Sequence, residues 1–339
     1  MKYGKFLEKG NTIGVCAPSL GCPLDPYRIR YIKAKEKFNE LGYQIKETKS
    51  VYTIKKARSN NAYQRAKEFE SLWFDDSVDF IFSIAGGEFM MEILPYIHFD
   101  KIKNSKPKYF MGYSDNTCLT FLLTTLCDVA TIYGYHIGEF GAKDYDKSTT
   151  RALELIEGDY KIQHSYDKIQ THSTKWVEGH ELDGFNLTKK TEWKSFSRKD
   201  EVLEGRIIGG CLDVLITLCG TKFDKVKDYI EKYKDDGIIW YFESCDLNIF
   251  SQARAFFQLE QAGWLKYCKG IILGRPLRRE NQFGLTYFRV IKDQLKHLNV
   301  PVIYDVDVGH VSPSLSIING AKVKVTYKNK LGTIETILE

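Results

Sequence analysis

The stretch that decides the fold is residues 109–119, which read YFMGYSDNTCL. An apolar, aromatic run stops at residues 112–115, and an apolar pattern with helical spacing begins directly afterwards. This order predicts a strand, a sharp turn and a helix, with Ser114 at the turn. Such a serine presents its hydroxyl at the end of a sheet, beside the unpaired amides of a helix N-terminus. Those amides can stabilise an oxyanion, although the same serine could simply cap the helix.

The N-terminal part of the chain alternates between strand-like and helix-like segments. Strands are predicted at residues 12–17, 43–48, 78–85 and 109–113, and helices at residues 28–41, 61–74 and 88–97. Such alternation predicts a parallel sheet with helices on both faces, a Rossmann-like arrangement. In sheets of this kind ligands bind beyond the carboxyl ends of the strands. Gly86-Gly87 and Ser114 both follow strands, so we expect them to share one crevice.

The rest of the chain predicts two further parts. Residues 151–203 are polar, contain isolated aromatic residues and show no clear period. They predict a connecting loop region that forms either a long loop or short strands, and long loops are often functional lids. Residues 204–339 return to strands and helices and predict a mixed α+β domain. We therefore expect an α/β protein with an N-terminal domain at residues 1–150, a connecting region at 151–203 and a C-terminal domain at 204–339.

Composition limits the classes of function. The chain has 339 residues, of which 43% are apolar and 27% charged, enough for ordinary globular cores. Its net charge of +5 arises from 49 basic and 44 acidic residues that are interspersed, which gives no reason to expect nucleic acid as a partner. No stretch approaches the roughly 18 apolar residues of a membrane span, and residues 1–10 contain no apolar signal core. We expect a cytoplasmic protein without a membrane partner.

Cysteine and histidine spacing gives no sign of a metal. Eight cysteines are scattered along the chain and form no C-x-x-C pair. Several lie in apolar runs, so we interpret them as reduced thiols of a cytoplasmic protein. The sequence also lacks an H-E-x-x-H motif, a Cys/His cluster at ligand spacing and a P-loop. We therefore expect neither a metal nor another cofactor.

Two further chemical groups lie at the ends of predicted strands. Glu243 ends the apolar run at residues 238–243, and His310 follows the extended segment at residues 300–308. Taken alone, the first is more often a solvated charge and the second a structural loop residue. With Ser114 they could form a triad, because a serine hydroxyl needs a histidine base and the histidine needs a carboxylate.

Short motifs recur in a fixed order along most of the chain. They are APS at 17–19, GG at 86–87, LPY at 94–96, GYSD at 112–115, EGRIIGGCLD at 204–213, FE at 242–243 and GH at 309–310. The ordered set resembles the LD-carboxypeptidase family of serine peptidases, which includes the microcin C immunity peptidases. The chain length, residues 204–213 and the GRP at 274–276 are more similar to the immunity branch than to the shorter murein-recycling enzymes.

The resemblance implies a role for each of these positions. Ser114 would be the nucleophile, Glu243 the orienting carboxylate and His310 the general base. The backbone amides of Gly87 and Asp115 would form the oxyanion hole. The resemblance further implies a homodimer that acts on a small peptide or an aminoacyl-nucleotide substrate.

Two departures from the family leave the substrate open. Residues 88–91 read EFMM where the family usually has small or polar residues, and they border the implied oxyanion hole. The loop at residues 171–200 also has no close match. In the immunity branch this region helps to hold a nucleotide-like group, so Trp193 is a candidate for stacking on a base or, alternatively, a hydrophobic anchor of the loop. We expect the loop to be mobile and to lie over the site.

The sequence therefore predicts a serine peptidase or amidohydrolase that cleaves an amide bond in an aminoacyl nucleotide or a related peptide. One alternative is an LD-carboxypeptidase that releases D-alanine from a murein tetrapeptide. Another is a binding protein of the same fold without catalytic activity. An ordinary α/β-hydrolase is disfavoured, because its nucleophile turn has glycine at the fifth position and this chain has Asn116.

Overall fold

The structure is a computed structural model that describes residues 1–339 and contains two large sheets and one hairpin. Numbered along the chain, the strands are β1 (Thr12–Cys16), β2 (Gln44–Glu47), β3 (Phe80–Ser83), β4 (Tyr109–Gly112), β5 (Thr131–Tyr133), β6 (Ile162–His164), β7 (Lys168–Gln170), β8 (Leu187–Lys190), β9 (Lys194–Ser195), β10 (Glu201–Cys211), β11 (Ile238–Glu243), β12 (Cys268–Gly274), β13 (Val302–Val306), β14 (Ile317–Asn319), β15 (Lys322–Lys328) and β16 (Leu331–Ile337).

Nine α-helices and five short 3-10 helices connect the strands. The α-helices are α1 (Tyr27–Glu40), α2 (Ala62–Trp73), α3 (Phe99–Lys103), α4 (Thr117–Cys127), α5 (Lys147–Ile156), α6 (Leu212–Leu218), α7 (Val226–Lys232), α8 (Ile249–Gln261) and α9 (Tyr287–Leu295). The 3-10 helices are Lys49–Tyr52, Met90–Tyr96, Ser114–Asn116, Ile137–Gly141 and Lys296–Leu298. None of the helices combines the length and the apolar composition that crossing a bilayer requires.

The first sheet has the strand order β14-β5-β4-β3-β1-β2. Strands β1 to β5 are parallel, and β14 joins β5 in the antiparallel direction. Because successive side chains of a strand point to opposite faces, Ile81 packs in one core with residues of α2 and α4. Its neighbours Phe80 and Phe82 pack in a second core with residues of α1 and α5. The predicted parallel sheet with helices on both faces is confirmed.

The second sheet has the strand order β6-β16-β15-β10-β11-β12-β13-β9. Its central strands β10 to β13 are parallel, and the flanking strands pair in the antiparallel direction. Strand β11 is buried along its whole length, which explains its uninterrupted apolar sequence before Glu243. The predicted mixed α+β character of the C-terminal part is confirmed.

The two parts of the molecule are joined by a strand and by a hydrogen bond. Strand β14, from near the end of the chain, pairs with β5 so that Ile317 lies opposite Tyr133. At the start of α4, Oγ1 of Thr117 accepts a hydrogen bond of 3.0 Å from the backbone amide of Cys211 at the end of β10. The C-terminal part therefore completes the first sheet, and the domain limits at residues 150 and 203 stay a prediction.

One segment differs from the sequence-based expectation. Residues 88–97 do not form an α-helix, and the 3-10 helix Met90–Tyr96 takes its place. Pro95 lies inside it and has no amide hydrogen, so an α-helical bond to the preceding turn is impossible there. The connecting region agrees with the short-strand alternative, since β7 pairs with β8 and β9 pairs with β13.

Gly210, at the junction of the two parts, occupies a backbone conformation that requires glycine. Its φ is +154°, and a Cβ atom would lie 2.6 Å from Cγ2 of Thr117. We expect Gly210→Ala to lower the free energy of unfolding in urea by about 2–6 kcal/mol, the sum of roughly 1–3 for the backbone and 1–3 for overpacking. Gly220→Ala is the control, because Gly220 has a φ of +79° but a Cβ there would meet nothing within 4 Å. If both variants lost the same unfolding free energy, the contact with Thr117 would not be the reason that position 210 requires glycine.

Candidate active site

Ser114 lies at the sharp turn between β4 and α4. Its φ of +63° is unusual for a residue with a side chain, and its backbone starts a 3-10 helix that leads directly into α4. The hydroxyl caps no helix amide. Instead, Oγ lies 2.9 Å from Nε2 of His310. The helix-cap alternative therefore does not describe this serine.

Glu243 and His310 complete a chain of hydrogen bonds that begins at Ser114. Nδ1 of His310 lies 2.7 Å from Oε2 of Glu243. The Glu243 side chain is 0% exposed and that of His310 is 13% exposed. Ser114 follows β4 in the first sheet, whereas Glu243 ends β11 and His310 follows β13 in the second. The structure therefore brings together groups from both large sheets.

Opposing effects set the pKa of His310. Burial lowers the pKa, but the Glu243 carboxylate and the Cys245 side chain outweigh burial and hold the pKa well above the ordinary value for histidine. The site therefore stabilises a charged imidazolium, which is the form that histidine takes after it accepts a proton.

Gly87 and Asp115 line a small cavity together with Ser114. Neither backbone amide donates a hydrogen bond to another backbone group. The Asp115 carboxylate accepts hydrogen bonds from Oγ of Ser19 at 2.5 Å and from the amide of Met90 at 2.9 Å. At Gly87, where φ is +149°, a Cβ would lie 2.2 Å from Oγ of Ser19. Glycine is therefore required there, and two unpaired amides border the cavity beside the serine.

The sequence analysis did not indicate Tyr133. Its hydroxyl contacts Ser114 and Glu243, two of the three hydrogen-bonded residues. Its hydroxyl accepts a hydrogen bond of 3.1 Å from the backbone amide of Ser114. The same hydroxyl donates to Oε1 of Glu243 at 2.5 Å. Tyr133 ends β5, and a polar group at a strand end is the same signal that pointed to Glu243.

His136 and Asn116 were also missed. Nδ2 of Asn116 donates to the carbonyls of Ala85 and Tyr113 at 3.0 and 3.1 Å and lies 3.0 Å from Nε2 of His136. The imidazole packs 4.4 Å from the Tyr113 ring, between centroids. Burial lowers the pKa of His136 to about 3, although the Glu139 carboxylate opposes this shift. A neutral imidazole therefore lies on the wall of the site.

A larger cavity of about 330 Å³ opens on both Ser114 and His310. Tyr27 and Lys175 also line it. Lys175 belongs to the loop at residues 171–200, and its ammonium lies 3.2 Å from the Glu139 carboxylate. The loop therefore borders the larger cavity, and none of its residues lines the small one.

Arg30 holds the same loop against the N-terminal part. Its Nη1 donates to the carbonyls of Glu181 and Asp183 at 3.0 and 2.9 Å, and its Nη2 pairs with Glu139 at 2.8 Å. Burial raises the pKa of Glu139, but Lys175 and Arg30 outweigh burial and lower it to about 2. A charged, ionised network therefore anchors the loop at the rim of the cavity.

Trp193 does not lie in either cavity. Its side chain is 0% exposed, and Nε1 donates to Oδ2 of Asp307 at 2.6 Å. The ring packs against Gly332, where a Cβ would lie 1.9 Å from Cε3 of the indole. No face of the ring is open to a base, so Trp193 is a buried anchor of the loop and not a substrate contact. Trp176 is 60% exposed, with its ring centroid 5.3 Å from that of Tyr27.

One group of potential metal ligands shares Glu243 and His310 with the hydrogen-bonded residues of the site. Ligand atoms of Cys211, Glu243 and His310 all lie within 4.8 Å of one another. Burial, together with the carboxylates of Glu243 and Asp213, raises the pKa of the Cys211 thiol well above its ordinary value. Since the thiolate is the form that binds metals, and since both histidine nitrogens already have partners, these residues do not fit a metal.

Two family profiles match the chain. The LD-carboxypeptidase N-terminal domain matches residues 13–134, and the LD-carboxypeptidase C-terminal domain matches residues 204–325. A "probable murein peptide carboxypeptidase" of Bacillus subtilis is 26% identical over 98% of this chain and 93% of its own length. The microcin C7 self-immunity protein MccF of Escherichia coli is 25% identical over 96% of this chain and 93% of its own length.

A solved structure has the same fold along nearly the whole chain. It is MccF in complex with aspartyl sulfamoyl adenosine, with a TM-score of 0.82 and 23% identity. The match covers 99% of this chain and 98% of MccF. The likeness shows that this chain has the same overall fold as that protein.

His136 gives protein stability a pH dependence whose sign follows from its pKa. The folded-state pKa is about 3 against an ordinary value of 6.5, so between these values the unfolded chain binds a proton that the folded chain does not. Stability therefore falls as pH decreases through this window. We expect His136→Gln to reduce the slope of the unfolding free energy against pH by up to about 1.4 kcal/mol per unit.

Urea unfolding at several pH values between about 4 and 6 measures this slope. Above about pH 7.5 the slopes of the variant and the wild type should coincide, because the imidazole is neutral in both states. A slope that His136→Gln leaves unchanged at the lower pH values would show that the folded protein carries a protonated His136.

Proposed function

The chain belongs to the LD-carboxypeptidase family, and on that basis we propose that it hydrolyses amide bonds through Ser114, His310 and Glu243. The observation that carries the proposal is the continuous chain of hydrogen bonds from Oγ of Ser114, through the imidazole, to the Glu243 carboxylate. Arrangements of this kind activate a serine hydroxyl, which is a weak nucleophile at its own pKa.

In the first step Oγ of Ser114 attacks the amide carbonyl while Nε2 of His310 takes the hydroxyl proton. The Glu243 carboxylate, 2.7 Å from Nδ1, stabilises the imidazolium that forms. The oxyanion accepts hydrogen bonds from the unpaired amides of Gly87 and Asp115, and loss of one such donor typically costs about 100- to 1000-fold in kcat. His310 then gives the proton to the leaving nitrogen, and an acyl-enzyme remains.

In the second step water hydrolyses the acyl-enzyme. His310 removes a proton from the water as its oxygen attacks the ester carbonyl, and returns that proton to Oγ of Ser114. The product is a free carboxylate. Because the pKa of His310 is raised, the neutral base is most abundant above neutral pH, so hydrolysis increases with pH.

An aminoacyl nucleotide is the substrate class that the larger cavity supports best. MccF, which shares the fold, binds aspartyl sulfamoyl adenosine. In this chain the cavity beside Ser114 reaches Tyr27 and Lys175, and the exposed Trp176 packs edge-on against Tyr27. Exposed aromatic rings can stack on a nucleobase.

A murein tetrapeptide is the second candidate, and a separate observation favours it. The small cavity beside Ser114 has a volume of about 150 Å³ and is lined by Glu88, Asp213 and Asp246. The Asp213 carboxylate is occupied by the amides of residues 245–247. Glu88 and Asp246 are exposed and suit a positively charged group, such as the free amine of a diamino acid in a murein peptide.

Replacement of the nucleophile separates an enzyme from a binding protein of the same fold. We expect Ser114→Ala to abolish hydrolysis while the circular dichroism spectrum is unchanged. The double variant Ser114→Ala/His310→Ala should be scarcely worse than either single variant, because triad members act as a unit. Mass spectrometry of the products from murein tetrapeptide and from aspartyl sulfamoyl adenosine, incubated in parallel, gives the readout.

Three outcomes would contradict this mechanism. Near wild-type turnover by Ser114→Ala would remove the serine from the reaction, and multiplicative losses in the double variant would place His310 in another role. Failure of the wild-type protein to cleave either compound would favour the catalytically silent alternative.

Trp176→Ala tests the aminoacyl-nucleotide assignment. Stacking on a base is worth about 1–3 kcal/mol, so KM for aspartyl sulfamoyl adenosine should rise roughly ten- to a hundred-fold. Murein tetrapeptide has no base and its KM should be unaffected. The control is Phe283→Ala, which also removes an exposed aromatic ring, but one that packs against Phe250 and not against a residue of the cavity such as Tyr27. Equal losses on both substrates would instead assign Trp176 to the structure of the loop.

A further inference from the structure

Tyr133 occupies a position that the triad mechanism above does not use. Its side chain is 1% exposed, at the end of β5 in the first sheet. Its hydroxyl lies 3.1 Å from the Ser114 amide nitrogen and 2.5 Å from Oε1 of Glu243. One phenol group therefore contacts the backbone of the nucleophile and the carboxylate that orients the base.

The direction of both hydrogen bonds is fixed by chemistry. A backbone amide can only donate, so the phenol oxygen accepts from Ser114. An ionised carboxylate can only accept, so the single phenol proton is donated to Glu243. Burial and the neighbouring Glu243 and Cys211 hold the pKa of Tyr133 well above its ordinary value, which keeps that proton in place.

Three donors reach the Glu243 carboxylate, and one of them is the backbone amide of His310, 3.4 Å from Oε2. Two side chains supply the others. Oε2 accepts from Nδ1 of His310 at 2.7 Å, and Oε1 accepts from Tyr133. Because the side chain is completely buried, water cannot replace either donor. Without the phenol, one oxygen of a buried charge would have no partner and the carboxylate could rotate about its terminal bond.

The turn at Ser114 depends on the same hydroxyl. The serine has a φ of +63°, a conformation that surrounding contacts must maintain. Its amide donates to the phenol instead of to a helix carbonyl. The hydroxyl thus fixes the direction from which Oγ approaches His310.

We propose that Tyr133 is a positioning residue that aligns Ser114 with the Glu243–His310 pair by bridging the nucleophile's amide and the carboxylate. The inference rests on the proposed function, since it assigns Tyr133 an effect on the reaction through those residues. It also makes alignment depend on the contact between the two sheets, because Tyr133 belongs to the first and Glu243 to the second.

Tyr133→Phe removes the hydroxyl and keeps the ring. On the substrate that the wild type cleaves, kcat should fall about 10- to 100-fold with KM within about twofold, because misplacement of a catalytic group acts on the transition state. The acidic limb of the kcat/KM profile should move to higher pH by about 0.5 to 1 unit. The carboxylate that has lost a donor attracts the imidazolium more strongly and raises the pKa of His310.

The other titratable groups around His310 remain in place in this variant. Three of them are Cys245, which contributes to the pKa of His310, Cys211, whose Sγ lies within 4.8 Å of a His310 ring nitrogen, and Tyr113, whose ring centroid lies 5.2 Å from that of His310. The others line the same cavity and are Arg30, Glu88, His136, Glu139 and Lys175. A change in the acidic limb therefore reports on the Glu243 contact.

Tyr241→Phe is the matched control. Tyr241 is also 1% exposed, its ring centroid lies 5.6 Å from that of Tyr133, and its hydroxyl has no hydrogen-bond partner. Tyr241→Phe should keep the wild-type kcat and pH profile. If the Tyr133 hydroxyl had a purely structural role, Tyr133→Phe would lower stability and leave the acidic limb of its profile unmoved.

A second substitution keeps the test decisive if Tyr133→Phe does not fold. Site-specific 3-fluorotyrosine at position 133 retains both hydrogen bonds and makes the phenol a stronger donor, so the acidic limb should move to lower pH. Activity in Ser114→Ala would overturn the proposed function itself. Inactive Ser114→Ala, together with an unmoved limb in both Tyr133 substitutions, would overturn the positioning role alone.

Discussion

The burial of one charged group, the Glu243 carboxylate, constrains much of this structure. A carboxylate with 0% exposure is stable only if hydrogen-bond donors replace its water. The donors come from opposite parts of the molecule, Tyr133 from the first sheet and His310 from the second. Docking of the two parts and assembly of the site are therefore one event. A loosened contact between the sheets would expose the charge and separate Ser114 from its partners.

Much of this arrangement could be predicted from the sequence, since the signals were local. Uninterrupted apolar strands, glycine turns and polar residues at strand ends made Ser114, Glu243 and His310 candidates, and the ordered motifs of the family gave each its expected role. Tyr133 also ends a strand, but its contacts with Ser114 and Glu243 join segments that are distant in the sequence and leave no local pattern. The position of His136 beside Asn116 likewise has no local signal. In the loop at residues 171–200 a local signal was present but had two interpretations. An isolated aromatic residue in a polar stretch is equally consistent with a buried anchor and an exposed contact, and only packing separates Trp193 from Trp176.

The surroundings of Ser114 differ in chemistry on its two sides. The larger cavity carries aromatic rings and the cations of Arg30 and Lys175, both of which pair with the Glu139 carboxylate. The lining of the smaller cavity includes Asp246 and contains neither a cation nor an aromatic ring. Glu88 lines both cavities, so the two differ in their cations and aromatic rings more than in their carboxylates.

Strand β14 has a consequence for how the protein is made. Its partner β5 is complete by residue 133, but the pairing segment Ile317–Asn319 is synthesised near the end of the chain. Until the ribosome has extended the polypeptide that far, β5 is an edge strand with unpaired backbone groups, a surface prone to association with other chains. The turn at Ser114 is thus translated early, yet the sheet that supports it is complete only after residue 319 has been synthesised. Co-translational folding of the N-terminal part alone stops one strand short of its final sheet.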